Sequence, residues 1–152
     1  MQIRLVIADD HDAIRESIKS FLSKWPEFDI IGEAKDGKVA AEIAEKLLPD
    51  IILMDLNMPR FNGIEATRHI LKKNPQIRIV ILSAVADKVF VATGFKAGIT
   101  GYVLKSFVSD DLVPALHAAK ANERFLSSQI ADAPITDADD NNSTWTNQSK
   151  AS

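Results

Sequence analysis

Five short apolar runs recur along the chain: IRLVIA (3–8), FDIIGEA (28–34), IILM (51–54), IRIVIL (77–82) and TGYVL (100–104). Each has the length of a β-strand and is rich in Ile, Val or Leu. Between them lie stretches with helical spacing: Ile14, Ile18, Phe21 and Leu22, then Val39, Ile43, Ala44 and Leu47, then Ile64, Ile70 and Leu71. Turn and stop signals fall at the joins, at Trp25-Pro26, Asp36-Gly37, Leu48-Pro49 and Asn74-Pro75. The pattern is (βα)5. Connections this short force parallel strands joined by right-handed crossovers, which places helices on both faces of one sheet. The run IILM does not alternate, and it has no need to, since a central parallel strand is buried on both sides.

The chain is 152 residues long and 46% hydrophobic, enough for one domain with its own core and an appendage. Residues 1–130 hold 17 acidic and 17 basic side chains, so the net charge of −3 is carried by residues 131–152. That balance argues against a strongly basic nucleic-acid surface on the domain. The absence of cysteine excludes disulfides, thiolate metal sites and cysteine nucleophiles, and fits a reducing cytoplasm. No apolar run approaches the roughly 20 residues of a membrane span, so a soluble cytoplasmic protein without membrane contact is expected. Apolar periodicity ends after Leu126. We read residues 1–127 as the domain and 128–152, rich in Ser, Thr, Asn, Asp and Ala, as a polar linker or tail.

In open sheets of this kind the ligand lies beyond the carboxyl ends of the strands. The first run ends at Asp9-Asp10, the third at Asp55, the fourth at Ser83 and the fifth at Lys105. Three acids brought together there repel one another unless a cation is present. Lys105 is one such cation. A hard divalent ion held by carboxylates, a carbonyl and water is another, and Mg²⁺ suits a site with few protein ligands. A carboxylate between a metal and an ammonium can attack a phosphoryl group, because the two cations neutralise charge in transfer. Asp55 is placed for that attack. The Ser83 hydroxyl can bond a phosphoryl oxygen, and Ala84 leaves room for the group to enter.

These residues resemble the receiver domains of two-component response regulators over about residues 3–127. The resemblance rests on Asp9-Asp10, on Asp55 in LMDLNMPRFNG, on Ser83-Ala84, and on Tyr102 with Lys105 in GYVLKS. It implies a flavodoxin-like sheet of five strands in the order 2-1-3-4-5. Asp55 would be the phosphoacceptor, taking phosphate from a phosphohistidine on a sensor histidine kinase. Asp10, Asp55 and the backbone carbonyl of Asn57 would ligate Mg²⁺, and Asp9 would hold the ion through water. Ser83 and Lys105 would grip the phosphoryl group. Ser83 and Tyr102 would form a switch in which the ring turns inward and alters the surface of helix four, strand five and helix five. Such a chain is a phosphoacceptor switch and not an enzyme with a separate substrate.

The stretches ADDHDAIRESIKSFL, LKSFVSDDLVPAL and ERFLSS are most similar to the NarL/FixJ (LuxR-type) subfamily. Members usually carry a C-terminal helix-turn-helix and bind DNA as dimers. That resemblance implies transcriptional output through a domain expected after Ser152, with a homodimer on phosphorylation. A stand-alone receiver acting by protein contact is the alternative output.

A different class is also considered, a haloacid dehalogenase-like phosphatase using Asp10 and Asp12 as a DxD motif. It leaves Asp55 without a role and finds no later acid pair for metal. His11, His69 and His117 lack ligand spacing and read as ordinary loop or helix residues. Met54 and Met58 read as packing, and Trp145 has no assigned role. Ser106 follows Lys105 where many receivers have proline. Asn122 stands where glycine is common. Pro114 lies just inside helix five if Ser109 is its cap, which predicts a late start or a bend.

Overall fold

The computed structural model describes residues 2–131. In chain order the elements are β1 (Ile3–Ala8), α1 (Asp12–Leu22), β2 (Phe28–Ala34), α2 (Gly37–Leu47), β3 (Ile51–Asp55), α3 (Gly63–Lys73), β4 (Arg78–Ser83), α4 (Lys88–Ala97) and β5 (Gly101–Leu104). A 3-10 turn (Lys105–Phe107), α5 (Val108–Lys120), β6 (Phe125–Leu126) and α6 (Ser128–Ala131) complete them. Every strand pairs in parallel, in the order β2-β1-β3-β4-β5-β6. The expected order 2-1-3-4-5 is present, with a two-residue sixth strand added beside β5.

Alternation along each strand sends side chains to opposite faces. Val6, Ile52, Met54, Ile79, Ile81 and Tyr102 pack with Ala40, Ala44, Ile64, Ile70 and Phe95 from α2, α3 and α4. Leu5, Ile7, Leu53, Val80, Leu82 and Val103 pack with Ile18 and Leu22 of α1 and Leu112 and Leu116 of α5. The three-layer arrangement leaves β3 buried at all five positions, as IILM requires. Met54 and Met58 are core residues, as read.

Chain order reverses direction across the sheet at β1, which continues to β2 on one side and borders β3 on the other. A crevice therefore opens at the carboxyl ends of β1 and β3. Asp9, Asp10 and Asp55 sit at that switch point. Gly63 seats the loop after β3 tightly: a Cβ there would lie 2.4 Å from the carbonyl oxygen of Asp55. The Asn62 and Glu65 side chains form a reciprocal capping box at the start of α3.

Two expectations differ from the structure. Helix α5 begins at Val108, before Ser109, so Ser109 is not its cap and the late start does not occur. Pro114 lies inside the helix and has no N–H for the carbonyl four residues earlier. An interior proline costs about 3 kcal/mol, and full burial of Leu112 and Leu116, at roughly 1.5–3 kcal/mol each, offsets that.

The second difference lies at the C-terminal end. Ordered structure continues past Leu126: Phe125 N–H donates to the Thr100 carbonyl at 2.9 Å and Ser127 N–H to the Tyr102 carbonyl at 3.1 Å. Ile130, which the reading placed in the linker, is buried in the core. The rest of the tail, with Trp145, lies outside the described residues.

Candidate functional site

The strand ends deliver a compact charged cluster. Asp9 and Asp55 are 2% and 5% exposed, and Lys105 reaches between them, its Nζ 3.2 Å from Asp9 Oδ2 and 3.2 Å from Asp55 Oδ1. One ammonium thus bridges two buried carboxylates. Asp10 stands beside them, about one-third exposed.

The electrostatics follow from this crowding. Burial, then the neighbouring Asp9, raise Asp55 above the ordinary carboxylate value, against the opposing pull of Lys105 and the Asn57 N–H. Burial pulls Lys105 downward, but Asp55 and Asp9 together outweigh it and hold the ammonium above its usual value. The cluster has a deficit of positive charge. Asp9 Oδ2 is fully buried and, apart from the Lys105 ion pair, receives no hydrogen bond.

One oxygen or nitrogen from each of Asp9, Asp10, His11 and Asp55 lies within 4.8 Å of the others, a spacing that could hold a metal ion. The hard oxygen donors fit a divalent cation, and Asp9 Oδ2, whose one polar neighbour is the Lys105 ammonium it shares with Asp55, keeps acceptor capacity that an ion or its water shell would use.

Ser83 is buried at the end of β4, and its Oγ accepts from the Val85 N–H at 3.0 Å. Tyr102 is fully buried, and its hydroxyl donates to the Val85 carbonyl at 2.9 Å. The ring already occupies the interior while Ser83 is engaged by its own loop. Val85 joins the two.

The sequence reading missed His11 as a member of the cluster. Its Nδ1 lies 3.0 Å from Asp9 Oδ1 and 3.1 Å from Asp10 Oδ1. The signal was its place, directly after two acids and at the N-cap of α1, where it makes no side-chain cap. The other two histidines behave as read: His69 packs on Phe61 and His117 contacts Glu27. Asp12, the second acid of the DxD alternative, is 88% exposed and paired with Arg15.

With that geometry in place, comparison with known proteins decides the family. The profile of the response regulator receiver domain matches residues 5–117. This chain belongs to the response regulator receiver family. The transcriptional regulatory protein DegU of Brevibacillus brevis is 37% identical over 129 residues, covering 85% of this chain and 55% of DegU. The nitrate/nitrite response regulator protein NarL of Escherichia coli K12 is 40% identical over 126 residues, covering 83% of this chain and 58% of NarL. The chain therefore spans little more than half the length of these relatives.

A LuxR-family two-component response regulator from Aurantimonas sp. SI85-9A1 superposes with a TM-score of 0.83 at 36% identity, over 86% of this chain and 94% of that one. The isolated receiver domain of RcsB from Salmonella enterica serovar Typhimurium, solved with the phosphomimetic BeF3⁻, gives 0.79 at 25% identity over 86% and 97%. These likenesses place the receiver in the NarL/FixJ group. Among the described residues no helix is long and apolar enough to cross a membrane.

Proposed function

We propose that this receiver accepts a phosphoryl group on Asp55 from a phosphohistidine of a sensor histidine kinase. Support comes from one observation above all: Lys105 bridges the buried Asp55 and Asp9 at 3.2 Å each. In the transfer an Asp55 carboxylate oxygen bonds to phosphorus, the phosphorus–nitrogen bond breaks, and its electron pair stays on the donor imidazole.

Asp10, Asp55 and the Asn57 carbonyl would hold Mg²⁺, with Asp9 acting through water, and the ion's chemistry is to neutralise charge on the phosphoryl oxygens. Lys105 supplies the second positive charge from the protein side. Ser83 gives up the Val85 N–H and offers its hydroxyl to a phosphoryl oxygen. The Tyr102 hydroxyl follows Val85, which carries the change to the surface around α4, β5 and α5.

The receiver on this reading extends past the expected boundary at 127 to include the buried Ile130, and the residues beyond lead toward a C-terminal LuxR-type DNA-binding domain in a longer parent. Transcriptional control and a homodimer on phosphorylation would follow from that domain, in the cytoplasm. DNA would be met only through it.

The test is incubation with a small acyl phosphate and Mg²⁺, read by intact mass. One acid-stable, base-labile phosphoryl group is expected, absent in Asp55→Asn. Multiple turnover of the donor dependent on Asp10 as nucleophile would favour the phosphatase reading instead.

A further inference from the structure

The pocket contains one potential ligand that receiver chemistry with Mg²⁺ does not use. His11 occupies the N-cap position of α1, where Ser, Thr, Asp or Asn would bond the first turn, and its side chain makes no such bond. The ring faces the acids instead, Nδ1 being 3.0 Å from Asp9 Oδ1 and 3.1 Å from Asp10 Oδ1. Its side chain is 63% exposed, while Nδ1 itself shares a hydrogen bond with Asp9 Oδ1, so an arriving ion would take the place of the shared proton.

These are hydrogen-bond distances, and they also suit ligands that share one metal ion in place of a proton. Ligands about 2.1 Å from an octahedral ion lie about 3.0 Å apart when adjacent and about 4.2 Å apart when opposite. The two His11 distances match adjacent positions, and the 4.8 Å limit on the whole set is close to the opposite spacing. Little contraction would bring Asp9, Asp10, His11 and Asp55 around one ion. Independently, the buried Asp9 Oδ2 on the inner side of the same cluster has only the Lys105 ammonium, which it shares with Asp55, and receives no further hydrogen bond.

Donor type then sets which ion gains from the ring. Mg²⁺ prefers oxygen and gains nothing from an imidazole nitrogen, whereas Co²⁺, Ni²⁺ and Zn²⁺ bind imidazole well. We propose that His11 is a further ligand of this pocket, one that gives it preferential affinity for imidazole-accepting transition-metal dications over Mg²⁺. The inference rests on the metal-pocket reading above and adds a ligand to it. His11 would supply a ligand that Mg²⁺, with its preference for oxygen, would leave to water. The pocket consequently has two alternative loads competing for the same carboxylates, and His11 distinguishes them.

The experiment is titration calorimetry of the full chain with CoCl₂ and with MgCl₂, at one fixed pH near neutrality, on the wild type and on His11→Ala. The exposed position keeps the variant folded, which circular dichroism verifies. Loss of the ring is expected to weaken Co²⁺ binding by about tenfold or more, in the range set by losing a ligand or its support. The Mg²⁺ constant should move by less than about threefold. The Co²⁺ visible absorption should change with the variant. Equal Co²⁺ affinity in the two proteins overturns the inference, and so does a parallel loss of both ions, which would make the ring a general support of the pocket. Absence of Mg²⁺ binding in the wild type strikes the underlying reading instead, and the Co²⁺ difference still decides the role of His11.

Discussion

Replacing Lys105 by methionine keeps most of the side-chain volume and deletes one charge, which isolates the electrostatics of the pocket. At 3.2 Å from each carboxylate, the ammonium gains about 5 kcal/mol of Coulomb energy per contact at an effective dielectric constant of about 20. Asp9 and Asp55 offer oxygens within 4.8 Å of each other, which corresponds to repulsion of about 3 kcal/mol or more on the same scale. Desolvating the ammonium costs several kcal/mol and cancels much of the gross attraction. What remains is the penalty of two buried acids without a counter-ion.

Breaking a buried pair by removing one partner costs about 3–5 kcal/mol. Here Asp55, already raised by burial and by Asp9, can relieve part of that by taking up a proton, so a loss of about 2–3 kcal/mol at neutral pH is expected. Urea unfolding in metal-free buffer measures it. Asp55→Asn in the Lys105→Met background should recover most of the loss, giving a double-mutant coupling of at least about 1 kcal/mol. Millimolar Mg²⁺ should stabilise Lys105→Met more than the wild type, because on the proposed reading the ion would serve the same carboxylates as the ammonium. A Lys105→Met protein within about 0.5 kcal/mol of wild type, with no coupling to Asp55, would refute this account.

Three further outcomes follow from individual contacts. Because burial and Asp9 raise Asp55 in the folded state, the native protein loses stability as pH rises from the ordinary carboxylate value through the raised one. Asp55→Asn should therefore be more stable than wild type in urea at about pH 7.5, with the gain gone at about pH 3.5. Arg60 has φ 70° and pairs with Asp36 at 2.9 Å. Left-handed backbone costs a non-glycine residue about 1–2 kcal/mol, and a half-exposed ion pair returns about 0–1 kcal/mol. Arg60→Gly should consequently raise thermal stability slightly. Ser127→Ala strands Asp111 Oδ2 and the Leu104 N–H, which the serine hydroxyl holds at 2.8 and 3.2 Å. A loss of about 1–3 kcal/mol in urea unfolding is expected.

The acids and Lys105 were legible because a parallel sheet places every strand's carboxyl end on one edge. A polar residue that terminates an apolar run is thereby delivered to the crevice, whatever its distance in sequence. Asn122, flagged where glycine is common, does have φ 61°. What was not legible depended on contacts without a period. Strand β6 has two residues and forms through bonds to the backbone of Thr100 and Tyr102. The buried Asp111–Ser127 bond joins positions 16 apart, and Asp111 reads in sequence as an ordinary acid in a first helical turn. The start of α5 was displaced by the 3-10 turn at Lys105–Phe107, which no residue pattern announces.

The proposed coupling of the pocket to the surface turns on Val85. Its N–H is held by Ser83 and its carbonyl by Tyr102, so Ser83 cannot turn to another partner without freeing one side of the residue. Two residues further on, Asp87 caps α4 by accepting from the Val89 and Phe90 N–H groups. Val85, Val89 and Phe90 are all large exposed apolar residues, so movement of this loop changes the apolar character of that face. Tyr102→Phe tests the connection: it keeps the buried ring, removes the hydroxyl, and costs about 1 kcal/mol at most if the carbonyl finds water. Amide exchange in residues 84–90 should then speed up while β4 and β5 remain protected. Unchanged exchange in that loop would mean that the hydroxyl does not restrain it, and would remove Tyr102 from the proposed link.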